Sequence, residues 1–403
     1  MTITLDGDPI VAERGEPLAC SLIAAGKLTI ARSPKFHRPR GPSCMRAACD
    51  GCLARVDETP NVMTCMAPAA EGTAVVSQNR LGPRQVDFLR MTDWFFPDGM
   101  NHHELFAGVP GIQGIMQSFA RRVAGLGKVP VEGEPPRPAV RRRVDVVVVG
   151  GGPSGMAVAT RLAKKGREVE VVDDQLSIGG GMLALDEEAD KAFAPIRHAF
   201  ATSTLRVRTR TVAGGIFGRD LLVVGPNGAE VLEPKTLVLA CGAHDGVLPF
   251  DGNDLPGVMS ARAAGFMLAR GVVAGERIVI VVSEGGGPFG EAYARAASAH
   301  AKVALVHGEP VRARGGEAIV STKDGPKELE ADALLVDAPR APAYELAAQA
   351  GATLVHSSRG YVVATDDEGR IADGVFATGE MAGIPFDAAA IVADAERIAA
   401  AVA

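Results

Sequence analysis

Four of the six cysteines in this 403-residue chain, Cys44, Cys49, Cys52 and Cys65, are spaced C-x4-C-x2-C-x12-C. Thiolate is a soft ligand, and the first three follow the run that gathers sulfurs around a [2Fe–2S] cluster, the fourth arriving from farther along the chain. The loop Ser43–Gly51 is rich in small residues, and Gly51 separates the second and third cysteines. Backbone N–H groups can therefore reach the cluster sulfides, which raises the potential. Four thiolates can also hold Zn²⁺ tetrahedrally. Zinc sites usually pair two short knuckles, whereas here three cysteines crowd one loop. The cluster is the preferred reading and zinc its alternative.

A second chemistry-bearing set is a glycine turn. Gly150-Gly151-Gly152-Pro153-Ser154-Gly155 fits G-x-G-x-x-G and follows the nearly continuous apolar run Val144–Val149. In a dinucleotide fold Gly150 permits the tight turn, Gly152 lets the backbone approach a pyrophosphate, and Gly155 lets helix and strand pack closely. The pyrophosphate rests on free N–H groups at the positive end of the helix that Pro153 and Ser154 open. The next strand, Val169–Val172, ends in Asp173-Asp174, about 20 residues on, where an acid receives the ribose hydroxyls. Asp173 is the expected acceptor, with Asp174 beside it, and its carboxylate disfavours a 2′-phosphate.

The pattern restarts at Arg277–Val282, followed by a second fingerprint carried by Gly285, Gly287 and Gly290. A helix over Ala292–Ala299 and a strand over Val303–Val306 should follow. That strand runs into His307, with Glu309 two residues later, so the ribose acid is misplaced. A functional NAD(P) site and a structural or subunit-facing turn are both open, the second being preferred.

Elements must position these residues. Ile3–Leu5 and Ile10–Ala12 flank Asp6-Gly7-Asp8 as a hairpin, Pro17–Ala25 has helical spacing, and 53–57 and 73–77 are further strands. Trp94-Phe95-Phe96-Pro97 and a helix over Ile112–Leu126 precede the proline-rich linker Val131–Pro138. From Val144 onward strand, glycine turn, helix and strand alternate, which implies a parallel sheet.

Bulk composition narrows the class. The net charge is −6, giving no electrostatic reason to expect nucleic acid. The one dense basic run, Arg141–Arg143, is expected to be a solvated domain junction. No segment approaches the roughly 18–20 apolar residues of a membrane span. The N-terminus carries acids early, unlike a signal peptide, so a cytoplasmic location is expected. Cys20, on an apolar helix, is expected to be buried and inert.

Several stretches resemble known families. Cys52–Val56 with Cys65–Val75 resembles the β-grasp [2Fe–2S] domains of NADH dehydrogenase and related enzymes. Thr236–His244 resembles the strand and turn of two-dinucleotide flavoproteins, with Cys241 in place of the usual Thr and Gly242 after it. Gly374–Glu380 resembles their flavin-contacting segment, which implies that Gly379 and Glu380 face the ribityl chain. The usual acid there is Asp, and Glu380 is one methylene longer. These features favour FAD at the first fingerprint, with NAD possible instead.

Ser33–Gly41, Gly125–Pro130 and Gly242–Met259 resemble the α subunit of heterotetrameric sarcosine oxidase. They also resemble subunits of hydrogen cyanide synthase, opine oxidases and dye-linked proline or hydroxyproline dehydrogenases. The implied class is α/β, a two-dinucleotide-binding (FAD/NAD-type Rossmann) flavoprotein preceded by a β-grasp domain. Its expected divisions are 1–90 for the [2Fe–2S] domain, 91–143 for the linker, 144–265 plus 360–403 for the FAD domain, and 266–359 for an inserted NAD-type domain. The resemblance further implies a β subunit flavoprotein that oxidises an amine or imino acid, an FMN possible at the subunit interface, and this chain as electron conduit. Two departures stand out. The chain ends at Ala403, before the folate-binding domain of the sarcosine oxidase α subunit, so folate coupling is not expected. The sarcosine oxidase protein also lacks the cluster cysteines and binds NAD⁺. The alternatives are a self-contained NAD(P)H-dependent reductase and a scaffold with a structural nucleotide. No catalytic residue is expected in this chain, His102, His103 and His244 being ordinary surface or core histidines in type. Substrate, electron acceptor and stoichiometry are not written in the sequence.

Overall fold

The computed structural model describes residues 1–33, 37–80, 109–123 and 139–402, together with Phe88. The aromatic segment at Trp94, the pair His102-His103 and the linker Val131–Pro138 lie outside the described residues. Contacts divide the chain into two compact units. One comprises Met1–Glu134, Leu248–Val281 and Ala297–Val336; the other comprises Pro135–Val247, Val282–Ala296 and Asp337–Ala403. These boundaries depart from a contiguous 266–359 insert, because residues 282–296 group with the first nucleotide fold.

In the first unit, Thr2–Leu5 (β1) and Asp8–Val11 (β2) form an antiparallel hairpin. The helix Leu18–Ala24 (α1) and the strands Leu53–Val56 (β3), Thr59–Met63 (β4) and Ala74–Val76 (β5) accompany it, and the sheet is ordered β2-β1-β5-β3-β4. Ile3, Leu5, Leu18, Leu22 and Ile30 are fully buried in its core. The strand and helix members of this set recur on the inward faces of their elements. β4 escapes the sequence pattern: Pro60 is a strand breaker, and Asn61 adopts a left-handed φ of 58°. A helix spans Ile112–Val123 (α2).

The second unit holds Val140–Val149 (β6), Pro153–Lys164 (α3), Val169–Val172 (β7), Arg206–Arg208 (β8), Val212–Phe217 (β9), Asp220–Gly225 (β10) and Gly228–Leu239 (β11). Their order is β8-β7-β6-β11-β10-β9, and the end of β11 also pairs in parallel with Val375–Ala377. Val146 and Val148 face α3 and the C-terminal helix Ala388–Ala401, whereas Val147 and Val149 face a second apolar layer containing Leu237 and Met381. Both faces of β6 are covered, which is why its sequence is continuously apolar rather than alternating.

Further along, Val258–Ser260 (β12), Ala261–Leu268 (α4), Arg277–Val282 (β13), Phe289–Ala297 (α5), Lys302–His307 (β14) and Ala333–Asp337 (β15) follow one another. Their sheet is ordered β12-β15-β13-β14, and a three-stranded antiparallel meander over 309–331 connects β14 to β15. No helix among the described residues is long and apolar enough to cross a membrane.

Arg141 and Arg143 of the basic run are exposed, as expected of a solvated run, but Arg142 turns inward. β6 begins at Val140, so Arg141–Arg143 are strand residues, and Arg142 reaches Glu170 on β7 through two hydrogen bonds of 2.8 Å each. Arg208 adds a bond of 3.1 Å to Glu170 and one of 2.6 Å to Glu230. Burial alone would push the Glu170 carboxyl up, but the two guanidiniums outweigh it and hold it below the usual range. Glu170→Gln should cost about 3 kcal/mol in denaturant unfolding, because two arginines lose a buried counter-charge. The sign with pH follows. A depressed carboxyl contributes its full stability above its unfolded value of about 4.3, and loses it as pH falls through the folded value. The gap between wild type and variant should therefore be largest above about pH 4.3 and shrink in acid. A gap independent of pH would contradict this account.

Candidate cofactor sites

The four cysteines pair as two and two. The Cys44 thiol donates to Cys49, which this bond, against the opposing effect of burial, holds down to about 6; Cys44 itself is pushed up. Cys65 likewise donates to Cys52, so Cys52 is lowered and Cys65 raised. Cys49 also lies close enough to Cys52 to raise it, and Cys44 close enough to Cys65, so the two pairs are neighbours. Two adjoining thiol pairs can give two thiolates to each iron of a two-iron cluster.

The backbone supplies the rest of the donor set. Met45 and Ala47 adopt left-handed φ of 52° and 61°, a conformation costing roughly 1 kcal/mol each for residues with a Cβ. This alternation turns successive N–H groups toward one point. Ala48 N–H donates to Cys44 Sγ at 3.3 Å, with Arg46 N–H beside it. Gly51 N–H donates to Cys49 and Ala47 N–H to Cys65. The fully buried Thr64, which carries no motif signal, donates its hydroxyl to the Cys52 carbonyl at 2.8 Å and also lowers the Cys52 thiol. A [2Fe–2S] cluster fits this cradle of thiolates and inward N–H groups.

Packing fixes the loop. A Cβ on Gly51 would lie 2.2 Å from the Gly41 carbonyl, and one on Gly41 would lie 2.4 Å from the Leu28 carbonyl. Arg40 pairs with Asp254 and donates to its carbonyl at 3.2 Å, while Ser260 N–H donates to the Ser43 carbonyl at 3.0 Å. The motif at 33–41 thus meets the far end of the motif at 242–259. Cys20 is fully buried, and burial pushes its thiol up to about 12.

At the first fingerprint, α3 opens at Gly152 with no side chain capping it. A Cβ on Gly155 would lie 1.9 Å from the Gly150 carbonyl, so strand and helix approach at the limit only glycine allows. Buried Asp173 accepts Gly151 N–H at 2.6 Å and Gln175 N–H at 2.8 Å. Each carboxylate oxygen can accept two bonds, so this bracing role is compatible with a ribose hydroxyl. Asp174 accepts the Gln175 side-chain amide at 2.8 Å on the surface.

Two elements without a motif of their own close around this turn. Gly179 N–H donates to the Gly151 carbonyl at 2.9 Å, and Gly180 packs against Gly152 so tightly that a Cβ would sit 2.8 Å from its Cα. Asp394, on the C-terminal helix, accepts from Thr378 Oγ1 at 2.6 Å and Gly379 N at 3.4 Å. That fixes Gly379 beside Ser154, where a Cβ would lie 2.5 Å from Ser154 Oγ. Glu380 is buried and engaged: Arg340 Nε and Nη2 both reach its Oε1 at 2.8 Å. Arg340 stacks on Phe289 and Phe386, 4.9 and 5.6 Å from the ring centres. Gly242 has a φ of +71° and its carbonyl accepts Ala343 N–H at 3.0 Å. His244 pairs with Glu345 at 3.0 Å on the surface. The glycine cradle and uncapped helix fit a dinucleotide pyrophosphate.

Gly51→Ala should cut iron and acid-labile sulfide per chain several-fold while flavin content stays near that of wild type. Equal iron in wild type and variant would show that the Gly41 contact does not set the loop.

Residues 1–80 match the family described as "2Fe-2S iron-sulfur cluster binding domain", and residues 144–314 match "Pyridine nucleotide-disulphide oxidoreductase". The alpha subunit of sarcosine oxidase from Rhizobium meliloti is 30% identical over 294 residues, covering 65% of this chain and 30% of that protein. An opine oxidase subunit from Agrobacterium tumefaciens is 29% identical over 158 residues, covering 34% of this chain and 31% of that protein. The chain thus spans about a third of the length of the curated relatives it matches. In fold it superposes on L-proline dehydrogenase from P. horikoshii with a TM-score of 0.73 at 20% identity, covering 100% of this chain and 72% of that one. The chain is thus similar to part of the sarcosine oxidase alpha subunit and of the opine oxidase subunit, and its fold is that of a Rossmann-type flavoprotein preceded by a [2Fe–2S] domain.

Proposed function

We propose that this chain is the electron-transfer subunit of a multisubunit dehydrogenase or oxidase acting on the CH–NH bond of an amine or imino acid. The observation that carries it is the paired thiols in their N–H cradle, joined in one chain to a glycine cradle for a dinucleotide. Cys44 with Cys49 would hold one iron and Cys52 with Cys65 the other. Gly150, Gly152, Pro153, Ser154, Gly155 and Asp173 would hold FAD, with Gly379 packed against Ser154.

Bound flavin and cluster together supply two-electron acceptance and one-electron release. This chain's own residues bind and insulate them. The backbone donors around Cys44–Gly51 favour added negative charge on the cluster, and Asp173 braces the dinucleotide turn. Amine oxidation itself would fall to a β subunit flavoprotein, with an FMN between the subunits. Six free cysteines, four of them a ligand set, suit a reducing compartment such as the cytoplasm.

The test is anaerobic purification of the chain with an amine-oxidising flavoprotein partner, followed by metal, sulfide and flavin analysis. We expect two irons and two sulfides per chain on chemical grounds, FAD released on denaturation, and a reduced-cluster EPR signal on adding a secondary amino acid such as sarcosine or proline. Zinc without iron would overturn the cluster. Rapid flavin bleaching by NADH in the isolated chain would favour the reductase alternative.

A further inference from the structure

The two glycine loops of this chain are equivalent in sequence and differ in what meets their N–H groups. At the first, no side chain caps α3 at Gly152. At the second, Asp337, the last residue of β15, accepts Gly287 N–H at 3.1 Å through Oδ1 and Gly290 N–H at 2.7 Å through Oδ2. Counting along the motif, Gly287 and Gly290 correspond to Gly152 and Gly155, the positions that approach and support a pyrophosphate. Asp337 is 4% exposed. A carboxylate therefore already lies across the positive end of α5, the place where a dinucleotide would put its phosphates.

A second group closes the approach. A Cβ on Gly287 would lie 1.8 Å from Arg340 Nη1, so the guanidinium occupies the space that a glycine at this position normally yields to a ligand. Arg340 is not loose. It is 9% exposed, bonded to Glu380 and stacked on Phe289, the first residue of α5.

We propose that the second fingerprint is an internally plugged nucleotide site: Asp337 takes the place of the pyrophosphate and Arg340 fills the glycine cradle, so the loop admits no NAD(P). The helix α5 serves instead to hold Arg340 against Glu380 beside the first nucleotide fold. A dinucleotide could enter only by displacing a buried carboxylate, and its own phosphates would be repelled by that carboxylate at close range. This goes beyond the electron-transfer reading and does not depend on it, because the plug is a property of residues 285–290, 337 and 340 alone.

The experiment uses the full chain with its cofactors bound and compares wild type, Asp337→Ala and Asp337→Asn. Inorganic pyrophosphate is the probe, read by thermal melting, and NADH and NADPH are titrated by fluorescence. Wild type should show no saturable NAD(P)H binding across the range where ordinary nucleotide sites bind, about 1 μM to 1 mM. Asp337→Ala should melt about 2–4 °C lower, and millimolar pyrophosphate should restore that loss while leaving wild type unmoved. Asp337→Asn, which keeps an acceptor oxygen, should melt between the two and gain less from pyrophosphate. Equal pyrophosphate shifts in wild type and Asp337→Ala would overturn the plug, as would NADH binding in wild type that Asp337→Ala leaves unchanged. If Asp337→Ala does not fold, the same comparison of wild type with Asp337→Asn decides. Loss of the cluster or flavin would sink the electron-transfer proposal without touching this result.

Discussion

Backbone N–H groups gathered at a tight turn demand an acceptor, and three turns of this chain meet that demand in different ways. At 44–51 the acceptors are cysteine sulfurs, reached from Arg46, Ala47, Ala48 and Gly51. At 150–155 Asp173 takes the Gly151 N–H from the side, and the helix end carries no side-chain cap. At 285–290 Asp337 caps the helix end outright. An orphaned buried donor costs about 1–3 kcal/mol, so a turn of this kind must be completed by sulfur, by a bound anion, or by the chain's own carboxylate. Which of the three occurs decides what each turn can do.

Sequence reading reaches its limit at the same turns. The spacing of Cys44, Cys49 and Cys52 and the first glycine run are legible because they are local, lying within one loop and one strand–turn–helix, while Cys65 joins them from beyond two strands. β7 and β13 match their expected ranges for the same reason, an apolar run bounded by turn signals. Asp337 is not legible. It sits 47 residues from Gly290, on a neighbouring strand, and nothing in an isolated -Leu-Val-Asp-Ala- marks it as a cap. His307 and Glu309 follow the motif in sequence and draw the expectation of a ribose acid, while the informative acid arrives through the sheet. Asp394 and Arg340 escape notice likewise, each being defined by a partner many residues away.

Arg142 shows the complementary limit. Its neighbours Arg141 and Arg143 are solvated as a run of like charge suggests, but its own partners are invisible in the sequence. Those partners are Glu170 and Glu230, brought alongside by the sheet order. Parallel pairing of β6 with β11 in register, Arg142 opposite Leu232, sets those acids within reach. The charge run is thus a product of strand length: β6 continues outward past its apolar core, and only Arg142, through buried Glu170, ties that polar end to the sheet.

The second loop also constrains the acid beside the first. Glu380 is expected from its motif to face a ribityl chain, yet its carboxylate is held by Arg340, whose stacking partner Phe289 begins the plugged helix. Phe386 touches both Phe193 and Phe289, with ring centres 5.0 and 5.4 Å apart, so this buried contact is aromatic as well as ionic. Arg340 lies between two acids, Glu380 and Asp337, and it lowers the second against the stronger upward push of burial. Removing Arg340 would leave both acids uncompensated in a dry environment. The closed second loop and the acid beside the first nucleotide fold therefore form a single electrostatic unit. On the plugged reading, the second nucleotide loop is committed to holding Arg340 against Glu380 beside the first, a carboxylate–guanidinium pairing that the motif at 374–380 alone does not disclose.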